Sequence, residues 1–233
     1  MRRFSARAKA GNFSRDELKQ AVEFSHFFGV KVYVTFNTVY KETEYPYVLE
    51  DMQFCASIGV DALILQDFTM ISRIRSIMPN IVLHLSTQAG VHNADGAATA
   101  KRLGFDRVIL SREAMLEDIY KIRDTVDIEL EMFVQGALCV SFSGNCYFSS
   151  LVSGYSGNRG KCMQLCRKPY TYHSKTAYWL SPKDICLADH VKQLIDAGVC
   201  SFKIEGRMRR PEYAGEAVKC YKSAVLGGRY DLS

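Results

Sequence analysis

Short runs rich in β-branched and aromatic residues alternate with segments whose apolar positions recur at helical spacing, at intervals of roughly 20 to 30 residues. Six strands are predicted, over residues 30–36, 62–65, 81–85, 107–110, 128–133 and 201–205. Ahead of the first, Ser14-Arg15-Asp16-Glu17 makes a capping box. Leu18, Ala21, Val22 and 25–28 follow at helical spacing, and Gly29 supplies a left-handed stop. Further helices are predicted over 47–58, 68–78, 93–103, 113–123, 188–197 and 211–226, and the last is framed by Pro211 at its start and Gly227-Gly228 at its end. The alternation predicts an α/β fold with a parallel sheet. The chain opens on a helix with no strand before it, so the expected architecture is a (β/α)8 TIM-barrel-like fold lacking its first two βα units. An open sheet is the alternative, but no Gly-x-Gly-x-x-Gly follows any strand. The expected organisation is one barrel-like domain over 1–233 carrying a Cys-rich insertion, 139–180, after the penultimate strand.

With 233 residues, 48% of them hydrophobic and 24% charged, the chain has the composition of a folded globular protein. A chain of this length buries roughly 70% of its unfolded surface and needs no disulfides to hold together, which leaves eight cysteines for other work. No window approaches the roughly 18 apolar residues of a membrane span, and Met1-Arg2-Arg3-Phe4-Ser5 leads into no apolar signal region. The first fifteen residues are Arg-rich and acid-free, which admits a transit peptide, but Gly11-Asn12 reads as a loop entering a helix. The expected location is the cytoplasm, a reducing compartment where clustered thiols bind metal more often than they pair. The net charge of +5 permits an anionic partner without requiring one.

The clearest chemical signal is Cys139-x6-Cys146-x15-Cys162-x3-Cys166, four cysteines within 28 residues. Four thiolates are the ligand set of an iron–sulfur cluster or of a structural zinc. The lack of paired Cys-x2-Cys knuckles leans toward a cluster and leaves zinc open. Cys55, Cys186, Cys200 and Cys220 are expected to be buried packing, with Cys186 a minor alternative as an exchangeable ligand. Arg159, Lys161, Arg167 and Lys168 fall within ten acid-free residues, and Lys203, Arg207, Arg209 and Arg210 follow the last strand with only Glu205 opposing. In a barrel the loops after the strands share one face, so both basic stretches would flank the cysteines there and suit phosphate. Asn37 and Gln88 follow the first and third strands. Glu131 lies inside the fifth, and Lys203 and Glu205 alternate along the sixth, where they either pair structurally or bind. Neither His-Glu-x-x-His nor Gly-x-Ser-x-Gly occurs.

The run Glu131-Met132-Phe133-Val134-Gln135-Gly136-Ala137-Leu138-Cys139, followed by Ser143-Gly144-Asn145-Cys146-Tyr147-Phe148-Ser149-Ser150, resembles the signature of the peptidase U32 family, the collagenase-like proteases. The resemblance continues through Ser156-Gly157-Asn158-Arg159-Gly160-Lys161-Cys162, Cys166-Arg167, Ser181-Pro182-Lys183-Asp184 and Ser201-Phe202-Lys203-Ile204-Glu205-Gly206-Arg207-Met208. It covers essentially the whole chain. Members of that family are similar to oxygen-independent hydroxylases of cytidine in 23S rRNA, of uridine in tRNA, or of a ubiquinone precursor. The wording around Asn158 and Gln164 resembles the rRNA branch more than the tRNA branch.

The resemblance implies a [4Fe-4S] cluster on Cys139, Cys146, Cys162 and Cys166, RNA as partner, and prephenate as co-substrate and hydroxyl source. Glu131, Gln135, Lys203 and Glu205 are candidates for catalysis. Arg159, Lys161, Arg167, Lys203 and Arg207 are candidates for phosphate or dicarboxylate binding, where Arg suits bidentate contact, and Asn37 and Gln88 complete the candidate substrate-binding set. The family often has His where Gln135 stands, and Gln hydrogen-bonds but cannot titrate. Family chains also open with two further βα units, and the rRNA members continue beyond the last helix seen here. The alternatives are a protease, as the family label says, and an inactive fragment whose cysteines hold zinc or nothing.

Overall fold

A computed structural model describes residues 12–206 and 209–228. The first five β-rich runs form β1 (Tyr33–Phe36), β2 (Ala62–Leu65), β3 (Val82–Leu85), β4 (Arg107–Ile109) and β5 (Glu129–Gly136). Three short strands follow, β6 (Tyr170–Tyr172), β7 (Lys175–Ala177) and β8 (Ile185–Cys186), and then β9 (Val199–Ile204). The helices are α1 (Arg15–Phe27), α2 (Tyr45–Ser57), α3 (Ile71–Ile77), α4 (Ala94–Arg102), α5 (Leu116–Thr125), α6 (Phe148–Ser153), α7 (Val191–Asp196) and α8 (Pro211–Val225). Six strands, β1-β2-β3-β4-β5-β9, pair in parallel in that order. Each lies beside its predecessor, so the sheet winds one way only. That is the TIM-barrel-like arrangement; a doubly wound sheet would reverse direction at a switch point.

Alternation along the strands sorts side chains between two cores. Leu63, Leu65, Leu83, Leu85, Val108, Leu110, Leu130 and Val134 pack against the helices in one large buried cluster. Ile64, Ile109 and Phe133 form a separate buried cluster with Tyr33, inside the curve of the sheet. Each fully buried Leu or Ile contributes ~1.5–3 kcal/mol, so the outer cluster carries most of the stability. The inner cluster is thin and has polar residues on both sides of it.

Several boundaries differ from the sequence expectation. Strand β1 begins at Tyr33 because the Val32 N–H donates to Asp61 Oδ2 at 2.7 Å and leaves the ladder. The predicted helix over 68–78 begins as a 3₁₀ turn, Phe68–Met70, with Asp67 accepting from the Thr69 N–H. The Cys-rich segment contains α6 and a two-stranded hairpin, β6–β7, which no periodicity announced. Of the four cysteines expected as buried packing, only Cys55 is buried. Cys186 and Cys200 are exposed and Cys220 is half-buried. Cys186 lies on β8, which runs antiparallel to the end of β5, and Cys200 sits where the β5–β9 register shifts.

Candidate active site

The C-terminal ends of β1, β3, β4 and β9 deliver polar residues to one cavity of about 240 Å³, to which β2 and β5 contribute the apolar Ile64 and Phe133. Asn37 follows β1, Ser86, Thr87 and Gln88 follow β3, Arg112 follows β4, and Lys203 and Glu205 come from the end of β9. Ile64, Ile109 and Phe133 are also among its walls. The insertion after β5 lines the rest with Cys139, Cys146, Cys162 and Cys166. All four cysteines of the sequence motif therefore meet Asn37, Gln88, Lys203 and Glu205 in one space.

Backbone geometry brings the insertion onto the barrel rim. Gly144 has φ +80°, and a Cβ there would lie 2.0 Å from the Gln88 carbonyl oxygen, so only glycine permits this approach. Asn158 Nδ2 donates to Gln66 Oε1 at 2.5 Å and to Gln88 Oε1 at 2.6 Å, while its Oδ1 accepts from the Val39 N–H at 3.2 Å. Ser143 is tied to the turn after β4 by its N–H to Glu113 Oε1, 2.8 Å. Between Cys162 and Cys166, Gln164 adopts φ +51°, a left-handed conformation that a non-glycine residue rarely takes and that recurs at functional sites.

Burial raises the thiols of Cys139 and Cys166, and neighbouring cysteines add to the rise, Cys146 and Cys166 at the first and Cys162 and Cys146 at the second. The Ser141 N–H and Arg112 oppose it at Cys139, and Arg167 opposes it at Cys166. Cys162 Sγ accepts from the Gln164 N–H at 3.4 Å. Cys139 is exposed and Cys146, Cys162 and Cys166 are half-buried, so all four sulfurs lie at an accessible rim. Among the described residues no three His, Cys, Asp or Glu side chains are grouped closely enough to hold a metal ion, and the four cysteines share the lining of the cavity. By chemistry, four cysteine donors are the ligand set of a multi-iron cluster or of zinc.

Two cations flank the Phe133 ring, the Arg112 guanidinium at 4.3 Å from its centroid and the Lys203 ammonium at 5.7 Å. Arg112 Nε is buried with no partner among the described residues, and the nearest carboxylate contact of Arg112 is Glu205 at 3.9 Å. An unsatisfied buried donor on a cavity wall marks a place for a ligand. Nothing in the sequence reading singled out Arg112. The available signal was its position just past a barrel strand.

The remaining candidates are placed elsewhere. Glu131 is buried at the inner face of β5 and accepts from Lys203 Nζ at 2.5 Å, Ser201 Oγ at 3.0 Å and Arg107 at 3.1 Å. Burial works against its charge, but Lys203, Arg107 and Ser201 together hold its carboxyl below the usual range. Gln135 bonds Tyr213 and Tyr221 on α8, away from the cavity walls. Gly136 beside it has φ +112° and lies so near Glu205 that a Cβ would sit 2.7 Å from the Glu205 Cβ. Arg159 binds both oxygens of Glu44 at 2.5 and 3.0 Å, and Arg167 donates to Ser181 Oγ, to the Leu138 carbonyl and to the Pro182 carbonyl. Lys161 is exposed beside Tyr155, and Arg207 lies outside the described residues.

The sequence profile described as Peptidase family U32 matches residues 1–227. The "23S rRNA 5-hydroxycytidine C2501 synthase" of Escherichia coli (strain K12) is 37% identical over 99% of this chain and 36% of its own length. "tRNA hydroxylation protein P1" of Bacillus subtilis (strain 168) is 33% identical over 95% of this chain and 56% of its own. "Collagenase" of Porphyromonas gingivalis (strain ATCC BAA-308 / W83) is 33% identical over 95% of this chain and 58% of its own. The chain thus spans between about a third and three fifths of the length of these relatives. Among the described residues no helix is long and apolar enough to cross a membrane. The match along nearly the whole sequence, with the motif cysteines gathered at the C-terminal ends of the barrel strands, makes this chain a member of peptidase family U32.

Proposed function

We propose that the chain carries the catalytic core of an RNA hydroxylase that acts on C5 of a pyrimidine, 23S rRNA cytidine first and tRNA uridine next, without O₂ and with prephenate as hydroxyl source. The observation that carries the reading is the single cavity in which four cysteines face two cations and a carboxylate. Relatives whose names state rRNA and tRNA hydroxylation support the RNA class.

Cys139, Cys146, Cys162 and Cys166 would hold a [4Fe-4S] cluster, which when bound supplies one-electron chemistry beside the substrate. The protein's own contribution is to bind and orient. Arg112 and Lys203 offer cationic donors to the carboxylates of a dicarboxylic co-substrate, and Arg112 has an unused N–H for it. Phe133, Ile64 and Ile109 exclude water from beneath the bound molecule. Glu205 is the carboxylate on the cavity wall that would hold or move a proton at its Oε atoms. Glu131 fixes the Lys203 ammonium and is a positioning residue.

The test is anaerobic purification with iron, sulfide and zinc analysis on wild type and Cys162→Ala, followed by nucleoside mass spectrometry after incubation with RNA and prephenate. About four irons per chain, lost in the variant, with prephenate-dependent hydroxylation, is the expected result. Stoichiometric zinc, or metal-free folded protein, overturns the cluster. The relative named Collagenase brings a peptidase reading, which degradation of gelatin by cluster-free protein would favour.

A further inference from the structure

The 52 residues from Met132 to Lys183 contain six Lys and Arg and no Asp or Glu, giving +6 where the whole chain has +5. All the positive excess of the protein is thus in the segment that builds the Cys-rich insertion. Arg159 and Arg167 are spent on internal contacts. Lys161, Lys168 and Lys175 are exposed, and no carboxylate pairs with them among the described residues. The same segment exposes large aromatic rings, Tyr172 at 66% and Trp179 at 48%. Neither belongs to a hydrophobic cluster.

The β6–β7 hairpin arranges these groups. His173 and Ser174 at its tip both have positive φ, +44° and +60°, so a two-residue turn of the mirror-image type joins the strands although neither residue is Gly or Asn. That turn sets Tyr172 directly opposite Lys175, and opposed residues of an antiparallel pair share a face. The Lys175 ammonium lies 5.5 Å from the centroid of the Trp179 ring. Tyr172, Lys175 and Trp179 therefore form one aromatic–cation–aromatic surface. The hairpin is also tied to the cavity: Trp179 Nε1 donates to the Tyr170 carbonyl at 2.9 Å, and the Tyr170 hydroxyl donates to the carbonyl of Leu165, a cavity-lining residue, at 2.8 Å.

We propose that this hairpin face binds single-stranded RNA, with Tyr172 and Trp179 stacking on unpaired bases and Lys161, Lys168 and Lys175 meeting the phosphates that lead toward the cavity. The polymer class rests on the RNA reading of the cavity. The mode of binding rests on the rings and lysines themselves, since stacking platforms interleaved with unpaired cations are what single strands engage and a duplex does not.

Trp179 is the sole tryptophan of the chain, so its fluorescence reports directly on this surface. Titration of the full protein with a short oligouridylate is expected to quench it, whereas inorganic polyphosphate and an RNA duplex at equal charge leave it largely unchanged. By anisotropy of a labelled oligouridylate, Tyr172→Ala and Trp179→Leu are each expected to weaken binding about fivefold or more, and Trp179→Phe to retain it. Lys175→Ala should reduce the salt slope of log K by roughly 0.7. Equal quenching by polyphosphate, a preference for duplex, or unchanged affinity in both aromatic variants overturns the proposal. Cys162→Ala separates the two readings. It is expected to keep oligouridylate affinity while losing iron and hydroxylation, whereas intact binding beside absent hydroxylation in the iron-loaded wild type would fault the cavity reading alone.

Discussion

On the strand N-terminal side of Ile64, Ile109 and Phe133, Glu131 is met by Lys203, Arg107 and Ser201, and Arg107 also binds Glu129 at 2.6 Å and faces the Tyr33 ring. On the other side, Arg112 keeps an unpartnered N–H and four thiols share a cavity. Both regions belong to the interior of one sheet and differ by about one residue layer. The first satisfies its charges with protein groups, so its chemistry is spent on holding strands in register. The second leaves donors unspent, and unspent buried donors are what a ligand can use. Lys203 touches both regions: its ammonium is fixed by Glu131 while its side chain lines the cavity. Stability on one side thereby sets geometry on the other.

The sharpest way to break this contrast is Glu131→Gln, which leaves Lys203 and Arg107 half-buried without their shared carboxylate. A loss of about 3–5 kcal/mol in urea unfolding is expected, since removing one member of a buried pair strands the others. A loss below 1 kcal/mol would mean that the network is decorative.

Titration of His84 comes next. Burial, with Arg107 adding to it, pushes this imidazole down to about 4 from 6.5, so the unfolded chain takes up its proton first as the pH falls. Stability is expected to decline between about pH 6.5 and pH 4, by up to ~3 kcal/mol, and His84→Gln should flatten that part of the curve. An unchanged slope in the variant would assign the acid sensitivity elsewhere. On the cavity side, Gly144→Ala would force its Cβ into the Gln88 carbonyl, with an expected cost of about 1–3 kcal/mol by thermal unfolding. A neutral result there would show that the insertion can shift off the rim. The smallest effect is expected for Lys161→Ala and Lys175→Ala, each within about 0.5 kcal/mol of wild type, because both side chains are exposed and pair with no carboxylate among the described residues.

The parts of the fold that were legible in the sequence are those governed by repeating patterns. Leu63, Leu83, Val108 and Leu130 announce strands because each run must present an apolar face to a helix, and Ser14 with Glu17 announces α1 through local hydrogen bonds alone. The four cysteines were legible as a set, since no packing role explains thiols in a Gly- and Ser-rich segment. The hairpin was not legible, because its strands are three residues long and its turn is His173-Ser174, which lacks the usual turn residues. Asn158 and Arg112 were invisible for a different reason. Their contacts with Gln66, Gln88 and Phe133 exist only once distant strands have curved toward one another. The exposure of Cys186 and Cys200 likewise depends on β8 and on the β5–β9 register shift, neither of which leaves a periodic trace.

The Asn158 seam also bears on the order in which the molecule folds. Its bond to Val39 closes a loop of 119 residues, and the Arg159–Glu44 pair closes one of 115. Closing loops of that length is entropically slow, and it gains nothing until β1, β2 and β3 already present their rim groups. The insertion therefore docks late, after the sheet beneath it has formed. Until then Cys139, Cys146, Cys162 and Cys166 have no shared wall with Asn37 and Gln88, and the final seam is what completes the cavity.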